Sequence, residues 1–420
     1  NNSVGVVGSG SHDVVGIRGM GGLGKTTLAL AVAWEASKAR QVIWLDIGED
    51  PNCLELINIL IKVLGGNVSF NDIRAAQSWV KEYTNDKDCL VILDDVWKVN
   101  HASAFDHLSG KCQLLITTRD SDVFRGLQGS ALYNLQLLQR GESSKLLYQS
   151  ARVTTDEQSK ISLNMQQIVK ELLNHCRDLP LALSLVGSSL ADTRDEQDWE
   201  DVLNDLRNAD LAQLRSMYAA DAYPYDNLLA VMNASFQHLP ERIQEKFLDF
   251  AVFPEDTNIP LDILELFWSS KGSERTSCEP RETRRILDAL EKKSLIQKGS
   301  DLFGKKSYRL HDLLLDFARG KLSDKLRYVQ CSFVEGLRSQ CENGDWGKFQ
   351  GNKDYYFKYL TYHLHSSEQL DELNKLFFNF HWLYEKVNQL DLASLISDFR
   401  FLDSSSKEVE LLKSSLMLSS

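Results

Sequence analysis

A glycine-rich segment at residues 19–27, GMGGLGKTT, constrains the fold of this chain more than any other feature. The short apolar run VVGI at 14–17 precedes it, and a stretch rich in Ala and Leu follows at 28–36. These flanks predict a strand and a helix. Between a strand and a helix, glycines let successive N–H groups turn around one anion, and the helix start adds a partial positive charge. The segment therefore predicts a phosphate-binding loop.

The segment matches G-x-x-x-x-G-K-[ST] without a mismatch, and the pattern gives its polar residues distinct roles. Lys25 would reach the β- and γ-phosphates of a nucleotide, and the Thr26 hydroxyl would bind Mg²⁺. We expect nucleotide contacts from the loop and the helix start, namely Gly21, Gly22, Leu23, Gly24, Lys25, Thr26 and Thr27. A glycine-rich turn without a ligand is the alternative.

A second motif is the run CLVILDDVW at residues 89–97. Its continuous apolar part is typical of a strand that is buried on both faces of a parallel sheet. The two acids at its carboxyl end lie where ligands bind to such sheets. Asp94 is predicted to hold Mg²⁺, directly or through water, and Asp95 to orient or deprotonate an attacking water. The alternative is a pair of solvated loop acids.

A further strand is predicted at residues 113–119, QLLITTR, and it ends in a basic side chain at the same edge of the sheet. Arg119 there can form two hydrogen bonds to a terminal phosphate and so report whether that phosphate is present. A surface arginine paired with Asp120 or Asp122 is the alternative. The repeated alternation of strands and helices up to about residue 136 predicts an α/β domain with a mostly parallel sheet.

Composition restricts the class of protein. Hydrophobic residues make up 43% of the chain and charged residues 25%, which is ordinary for a globular protein. The net charge of −12 argues against nucleic acid as the main partner. No run approaches the roughly 18 apolar residues of a membrane helix. Seven scattered cysteines without a CxxC pair fit reduced buried thiols, so we expect a cytoplasmic protein without a membrane partner.

Beyond residue 139 the apolar residues recur at helical spacing, and three further domains are predicted. With the nucleotide-binding domain at 1–137, these are a first helical domain at 138–215, a unit at 216–322 and a second helical domain at 323–420. In the 216–322 unit, a helical cluster precedes a predicted hairpin at 295–310, which indicates a winged helix. Its basic residues are interleaved with acids, so a solvated mixed face is favoured over contact with DNA.

Taken in order, these motifs resemble the NB-ARC class of signal-transducing P-loop ATPases, also called the STAND class. The matching segments are residues 19–27, 42–48, 90–97, 114–119, 179–182, 250–255 and 310–312. The tail at 355–398 resembles the helical domain that precedes WD-repeat sensors in the branch of the apoptotic protease-activating factors. Plant disease-resistance receptors are also similar. The resemblance implies an α/β P-loop NTPase domain followed by an all-α domain, a winged-helix domain and a second all-α domain.

The resemblance also implies two site residues outside the first domain. Pro180 would line the nucleotide pocket, and His311 would contact the β-phosphate of bound ADP and hold the molecule closed. A histidine whose hydrogen bond is made within the local turn at 310–312 is the alternative for His311. Asp178 stands where the family usually has glycine. The adenine-contacting segment is expected upstream of residue 1 or within residues 4–12.

We therefore expect a switch that binds ADP and ATP with Mg²⁺, with slow hydrolysis that resets it. ADP would keep it closed, and exchange for ATP would recruit Arg119 to the γ-phosphate and lead to homo-oligomers. The chain is expected to be part of a longer protein. An upstream effector domain, or a caspase- or adaptor-like partner, and a C-terminal sensor would complete a pathway of cell death or defence. A motor-type turnover ATPase and a winged-helix transcription regulator are the alternatives.

Overall fold

The structure is a computed structural model, and it describes residues 14–125, 127, 129–191, 193–209, 226–269, 277–300, 304–402 and 407–418. The chain divides into two compact units, of which one ends at Leu137 and the other begins at Leu138. The boundaries of the four predicted domains stay predictions. The segment at 4–12 and the predicted boundary at 215/216 lie outside the described residues.

The first unit contains a five-stranded sheet in the order β2-β3-β4-β1-β5, in which every neighbouring pair is parallel. Its strands are β1 (Val14–Arg18), β2 (Gln41–Asp46), β3 (Cys89–Val96), β4 (Gln113–Thr118) and β5 (Ala131–Asn134). The first six residues of β3 are all buried, because helices cover this sheet on both faces. The parallel sheet of the predicted α/β class is confirmed.

Helices of the first unit are α1 (Lys25–Ala36), α2 (Cys53–Leu64), α3 (Ile73–Tyr83) and the short α4 (Val99–Ser103). Side chains of α1 pack on one face of the sheet, and those of α2 and α3 pack on the other. Both α2 and α3 begin at side-chain caps, since Asn52 accepts the N–H of Glu55 and Asp72 accepts that of Ala75. Both helices therefore begin at a strong local start signal in the sequence.

Strand register brings the carboxyl ends of β1, β3 and β4 together. Arg18 of β1 lies beside Thr118 of β4, and the N–H of Gly19 donates to the Thr118 carbonyl at 3.1 Å. Pairing of β3 with β4 shifts by one residue between Leu93 and Val96, which is a β-bulge. The loop that follows β1 therefore begins next to the residues that end β3 and β4.

The second unit is mainly helical. Its first helices are α5 (Arg140–Ser150), α6 (Thr155–Gln158), α7 (Leu163–Cys176), α8 (Pro180–Ser189) and α9 (Glu196–Arg207). They are followed by α10 (Asp226–Gln237), α11 (Glu241–Leu248), α12 (Leu261–Ser269), α13 (Pro280–Lys292) and α14 (Asp312–Leu322). The last ones are α15 (Leu326–Ser339), α16 (Lys353–Ser366), α17 (Leu370–Leu376), α18 (Phe380–Gln389), α19 (Leu392–Asp398) and α20 (Lys407–Leu418).

The second unit also contains a small antiparallel sheet of three short strands. The first strand precedes α12, and the other two lie between α13 and α14. These strands, β6 (Ile259–Pro260), β7 (Gln297–Ser300) and β8 (Lys306–Arg309), are arranged in the order β6-β8-β7. Helices followed by this hairpin are the arrangement that was predicted as a winged helix. The predicted fold class is confirmed. Within the described part of the chain, no helix is long and apolar enough to cross a membrane.

Aromatic side chains form much of the core of the last helices. His363 of α16 is fully buried, its ring lies 4.6 Å from that of Phe333, and its Nε2 is 2.8 Å from the Tyr355 hydroxyl. Burial lowers the pKa of His363 to about 3. Lys386 is also fully buried, and its Nζ lies 2.6 Å from a carboxylate oxygen of Asp398. Tyr355, Tyr356, Phe357, Phe377 and Trp382 are buried in this core, whereas Phe378, Phe380 and Tyr384 are exposed.

Candidate nucleotide-binding site

The loop at residues 19–24 joins β1 to α1. Gly22 has φ 77° and Gly24 has φ 91°, in the left-handed region that glycine adopts without a Cβ clash. Gly24 is also the N-cap of α1, and it has no side chain that could occupy the first N–H groups of the helix. The glycines therefore give the loop the backbone shape that anion binding requires, and they leave the helix start open to an acceptor.

Lys25 begins α1, and its charge stays close to the loop. The side chain is buried, and Nζ donates to the carbonyl of Met20 at 3.0 Å. An ammonium group that is held across a glycine loop adds positive charge where the backbone N–H groups converge. This location is consistent with the predicted contact between Lys25 and phosphate, which stays a prediction.

Thr26 and Asp94 come into direct contact although they are far apart in the sequence. The Thr26 hydroxyl lies 3.1 Å and 3.0 Å from the two carboxylate oxygens of Asp94, which is 1% exposed. Thr117 of β4 donates to Oδ1 of the same carboxylate at 2.5 Å. A hydroxyl and a carboxylate side by side supply the oxygen ligands that Mg²⁺ prefers. The two residues that were predicted to bind Mg²⁺ therefore fit that ion.

Asp95 turns away from Asp94 because it lies in the bulge of β3. Its φ of 55° is left-handed, and its N–H donates to the Thr117 hydroxyl at 2.8 Å. The side chain accepts a hydrogen bond from Nε1 of Trp97, with 2.7 Å between Nε1 and Oδ2. One buried hydroxyl, that of Thr117, thus fixes the carboxylate of Asp94 and the backbone of Asp95.

Arg119 follows β4 and lies against Asp95. Its Nε is 3.7 Å from Oδ1 of Asp95, and its guanidinium carbon lies 4.8 Å from the centre of the Trp97 ring. Its side chain is 27% exposed, so solvent screens this charge only in part. Of the acids weighed from the sequence, Asp122 forms an ion pair with Arg125. Arg119 therefore contacts Asp95, another of the predicted catalytic residues, and no local pattern in the sequence predicts this contact.

Two residues of this edge were not singled out from the sequence. Thr117 lies within the 114–119 motif and Trp97 ends the 90–97 motif, but neither received a role there. Alternation along β4 does place Thr117 and Arg119 on one side of the strand, which was an available signal. The contact between Trp97 and Asp95 depends on the bulge, and no local pattern in the sequence reveals it.

Pro180 and His311 belong to the second unit. Pro180 occupies the first position of α8, as predicted from its fixed φ. Before it, Arg177 and Asp178 adopt φ 48° and 56°, so Asp178 takes the left-handed conformation at the position where the family usually has glycine. Asp178 also pairs with Arg140, with 3.2 Å between Nη1 and Oδ1. Asp178 therefore adopts here the left-handed conformation that the resemblance leads one to expect of a glycine.

His311 is the N-cap of α14. Its Nδ1 accepts the N–H of Leu313 at 3.2 Å, which is the local hydrogen bond that had been kept as an alternative. A neutral imidazole whose Nδ1 accepts carries its proton on Nε2, and that N–H is a donor suited to an anion. The capping bond and the predicted phosphate contact use different ring nitrogens, so they are compatible.

Most of the predicted site residues meet in the first unit. Residues 21–27, Asp94, Asp95 and Arg119 all lie at the carboxyl edge of the parallel sheet, where ligands bind in such sheets. Pro180 and His311 lie in the second unit. The roles of all these residues remain predictions.

Two family models match the chain, that of the NB-ARC domain over residues 6–157 and that of the APAF-1 helical domain over residues 326–413. The first includes the glycine-rich loop, both acids and Arg119. The second includes the helices α15 to α19. The two matches account for the nucleotide-binding domain and the C-terminal helical domain that the sequence motifs predicted.

Similar proteins come from animals and plants. Apoptotic protease-activating factor 1 of Homo sapiens is 27% identical over 401 residues, which cover 92% of this chain and 30% of that protein. Putative disease resistance protein RGA1 of Solanum bulbocastanum is 28% identical over 325 residues, which cover 74% of this chain and 32% of that protein. The chain thus spans about a third or less of the length of these relatives.

One solved structure resembles almost the whole chain. It is a signal transduction ATPase with numerous domains (STAND protein) with a tetratricopeptide repeat sensor from Pyrococcus horikoshii. The TM-score is 0.51 at 17% sequence identity, and the match covers 97% of this chain and 55% of that chain. At this identity the likeness concerns the fold. Together with the two family models, these relatives confirm the predicted resemblance of the chain to the NB-ARC signal-transducing ATPases.

Proposed function

We propose that this chain is the nucleotide-controlled switch of an NB-ARC signalling protein. The observation that carries the proposal is the contact of Thr26 with Asp94 beside the glycine-rich loop. Residues from two separate motifs meet there, and together they would offer two oxygen ligands to the metal of a metal–nucleotide site. Lys25 and the N–H groups at the start of α1 would bind the phosphates, and Thr26 with Asp94 would hold Mg²⁺.

The metal neutralises phosphate charge when it is bound. The side chains of this protein would orient the water, accept its proton and bind the terminal phosphate. Asp95 would orient an attacking water and accept its proton at a carboxylate oxygen. The Arg119 guanidinium would bind the terminal phosphate, so the two nucleotides would differ in whether they engage it. Hydrolysis would be slow and would return the switch to its ADP-bound form.

His311 is proposed to hold the ADP-bound form closed. Its Nδ1 caps α14, and Nε2–H would donate to the β-phosphate. Exchange for ATP would release this contact and allow homo-oligomers to form. To move such a switch from 1:99 to 99:1 requires about 5.5 kcal/mol of differential binding, which nucleotide, signal and assembly would supply together. The resemblance to apoptotic and disease-resistance proteins supports a role in cell death or defence.

The first experiment identifies the nucleotide. We expect ADP to be retained through purification of the full chain, and the chain to be monomeric with ADP and larger with a non-hydrolysable ATP analogue. A preparation without bound nucleotide that hydrolyses ATP rapidly at steady state would instead support a turnover ATPase. Binding to duplex DNA that weakens with salt would support the transcription regulator.

The clamp is tested with two variants of His311. His311→Asn keeps an N-cap, because Asn is among the best capping residues, but it loses the Nε2–H donor. His311→Ala loses both. We expect both variants to release ADP faster and to oligomerise spontaneously, and only the Ala variant to lose stability as well, by about 1 kcal/mol. ADP retained by the Asn variant as tightly as by the unchanged chain would contradict the clamp.

A further inference from the structure

Trp97 contacts both Arg119 and Asp95. In the proposed function, Arg119 binds the terminal phosphate and Asp95 orients the attacking water. The Nε1–H of Trp97 donates to Oδ2 of Asp95 at 2.7 Å, and the Trp97 ring lies 4.8 Å from the guanidinium carbon of Arg119. Arg119 in turn has its Nε 3.7 Å from Oδ1 of Asp95. Indole, carboxylate and guanidinium therefore form a closed triangle, in which each group contacts the other two.

The triangle is partly shielded from solvent and its backbone is fixed. The side chains of Arg119 and Asp95 are 27% and 13% exposed, so their attraction is only partly screened. Asp95 is held in its left-handed conformation with its N–H on the buried Thr117 hydroxyl. The backbone and the carboxylate of Asp95 are therefore both anchored at the place where Arg119 contacts this residue.

We propose that Trp97 is a positioning residue that holds the Arg119 guanidinium beside Asp95, so that Asp95 and the terminal phosphate of a nucleoside triphosphate compete for one cation. This inference rests on the proposed function. A cation over an indole ring and next to a carboxylate has two attractive partners to give up before it engages phosphate. A nucleoside diphosphate has no terminal phosphate to compete, so Trp97 sets the preference between the two nucleotides.

The test measures one ratio, the affinity for adenylyl imidodiphosphate divided by the affinity for ADP, in the full chain with Mg²⁺. Trp97→Leu removes the ring and the N–H, and Trp97→Phe keeps a ring under the guanidinium. Loss of a cation–π contact of this kind corresponds to about a threefold to tenfold change in affinity. We expect Trp97→Leu to raise the ratio by that factor, and Trp97→Phe to change it by less than about twofold.

Arg119→Met is the control that distinguishes positioning of Arg119 by Trp97 from a merely structural role of Trp97. We expect this variant to lower the ratio, and Trp97→Leu to have no further effect on the ratio in the Arg119→Met background. If Arg119→Met leaves the ratio unchanged, detection of the phosphate by Arg119 fails, and the inference fails with it. Suppose that Arg119→Met does lower the ratio. The inference alone then fails if Trp97→Leu lowers the ratio or leaves it unchanged. It also fails if Trp97→Leu raises the ratio by the same factor in the Arg119→Met background as in the unchanged chain.

A spectroscopic measurement avoids the Leu variant, should that variant not fold. We expect the indole emission of the unchanged chain to differ between adenylyl imidodiphosphate and ADP, because Arg119 leaves the Trp97 ring only with the former. The difference should disappear in Trp97→Phe and in Arg119→Met. A difference that persists in both variants would overturn the inference.

Discussion

Thr117→Val is the substitution that most directly tests the arrangement of the two acids. The Thr117 hydroxyl is fully buried, donates to the Asp94 carboxylate and accepts the N–H of Asp95. Valine keeps the shape and removes both hydrogen bonds. A hydrogen bond to a charged group contributes about 1.5–3 kcal/mol, and a buried N–H without its partner costs about 1–3 kcal/mol more. We therefore expect the free energy of unfolding to fall by about 3 kcal/mol.

The adjacent residue provides a matched control. Thr118 is equally buried, but its hydroxyl donates to the carbonyl of Val96 and accepts the N–H of Asp120, and so serves only neutral backbone groups. Thr118→Val should cost about 2 kcal/mol of stability. It should leave the metal site alone, because its hydrogen bonds involve neither acid at the end of β3.

The assay is nucleotide binding as a function of Mg²⁺ concentration, alongside thermal unfolding. Loss of a hydrogen bond that orients a metal-ligating carboxylate typically lowers metal affinity about 10–100-fold. We expect the Mg²⁺ midpoint to shift by at least about tenfold in Thr117→Val and to stay in place in Thr118→Val. Equal midpoints in the two variants would refute the reasoning, because stability would then be the only quantity that Thr117 controls.

Three further predictions concern stability. Only the unfolded chain binds a proton at His363 between its ordinary pKa of about 6.5 and its folded value of about 3. Stability should therefore fall as pH falls through this window, by about 2 kcal/mol at pH 5, and His363→Gln should remove that share of the pH dependence of thermal unfolding. Asp178→Gly relieves a left-handed residue while losing the pair with Arg140, whereas Asp178→Ala loses the pair and keeps the strain. The free energy of unfolding of the Gly variant should exceed that of the Ala variant by about 1 kcal/mol, and the Gly variant should therefore unfold at a higher temperature. The reverse order would contradict this account of the turn. A Cβ on Gly16 would lie 2.1 Å from the Phe124 ring, so Gly16→Ala should cost about 1–3 kcal/mol in chemical denaturation, and Phe124→Ala in the same chain should recover part of that loss.

The elements of the first unit were predictable where one local signal dominates. The helix Ile73–Tyr83 has two such signals, because Asp72 caps it and its apolar residues recur at helical spacing. The strand Cys89–Val96 follows from a continuous apolar run. Because parallel strands carry their ligands at the carboxyl edge, the sequence also placed the loop, the two acids and Arg119 together.

Other features depend on contacts between segments that are distant in the sequence. The strand Ala131–Asn134 has mostly exposed residues, so it exists through pairing with β1 and not through its own pattern. Arg119 contacts Asp95 because of a one-residue shift in the pairing of β3 with β4. Asp178 pairs with Arg140, which is 38 residues before it in the chain. Local propensity carries no information on any of these three contacts.

The one-residue bulge in β3 has a consequence for how this motif tolerates insertions and deletions. With Leu93 opposite Ile116 and Val96 opposite Thr118, β3 contains one residue more than a regular ladder would. Loss of a single codon at this point would therefore regularise the strand, whereas the same loss elsewhere in β3 would reverse the side chains that follow. A deleted form would fold with a straighter sheet and only one acid at its edge. The extra residue thus supplies the second acid but is not needed for the strand to pair. The lengths of natural variants of this motif would show whether the extra residue is retained.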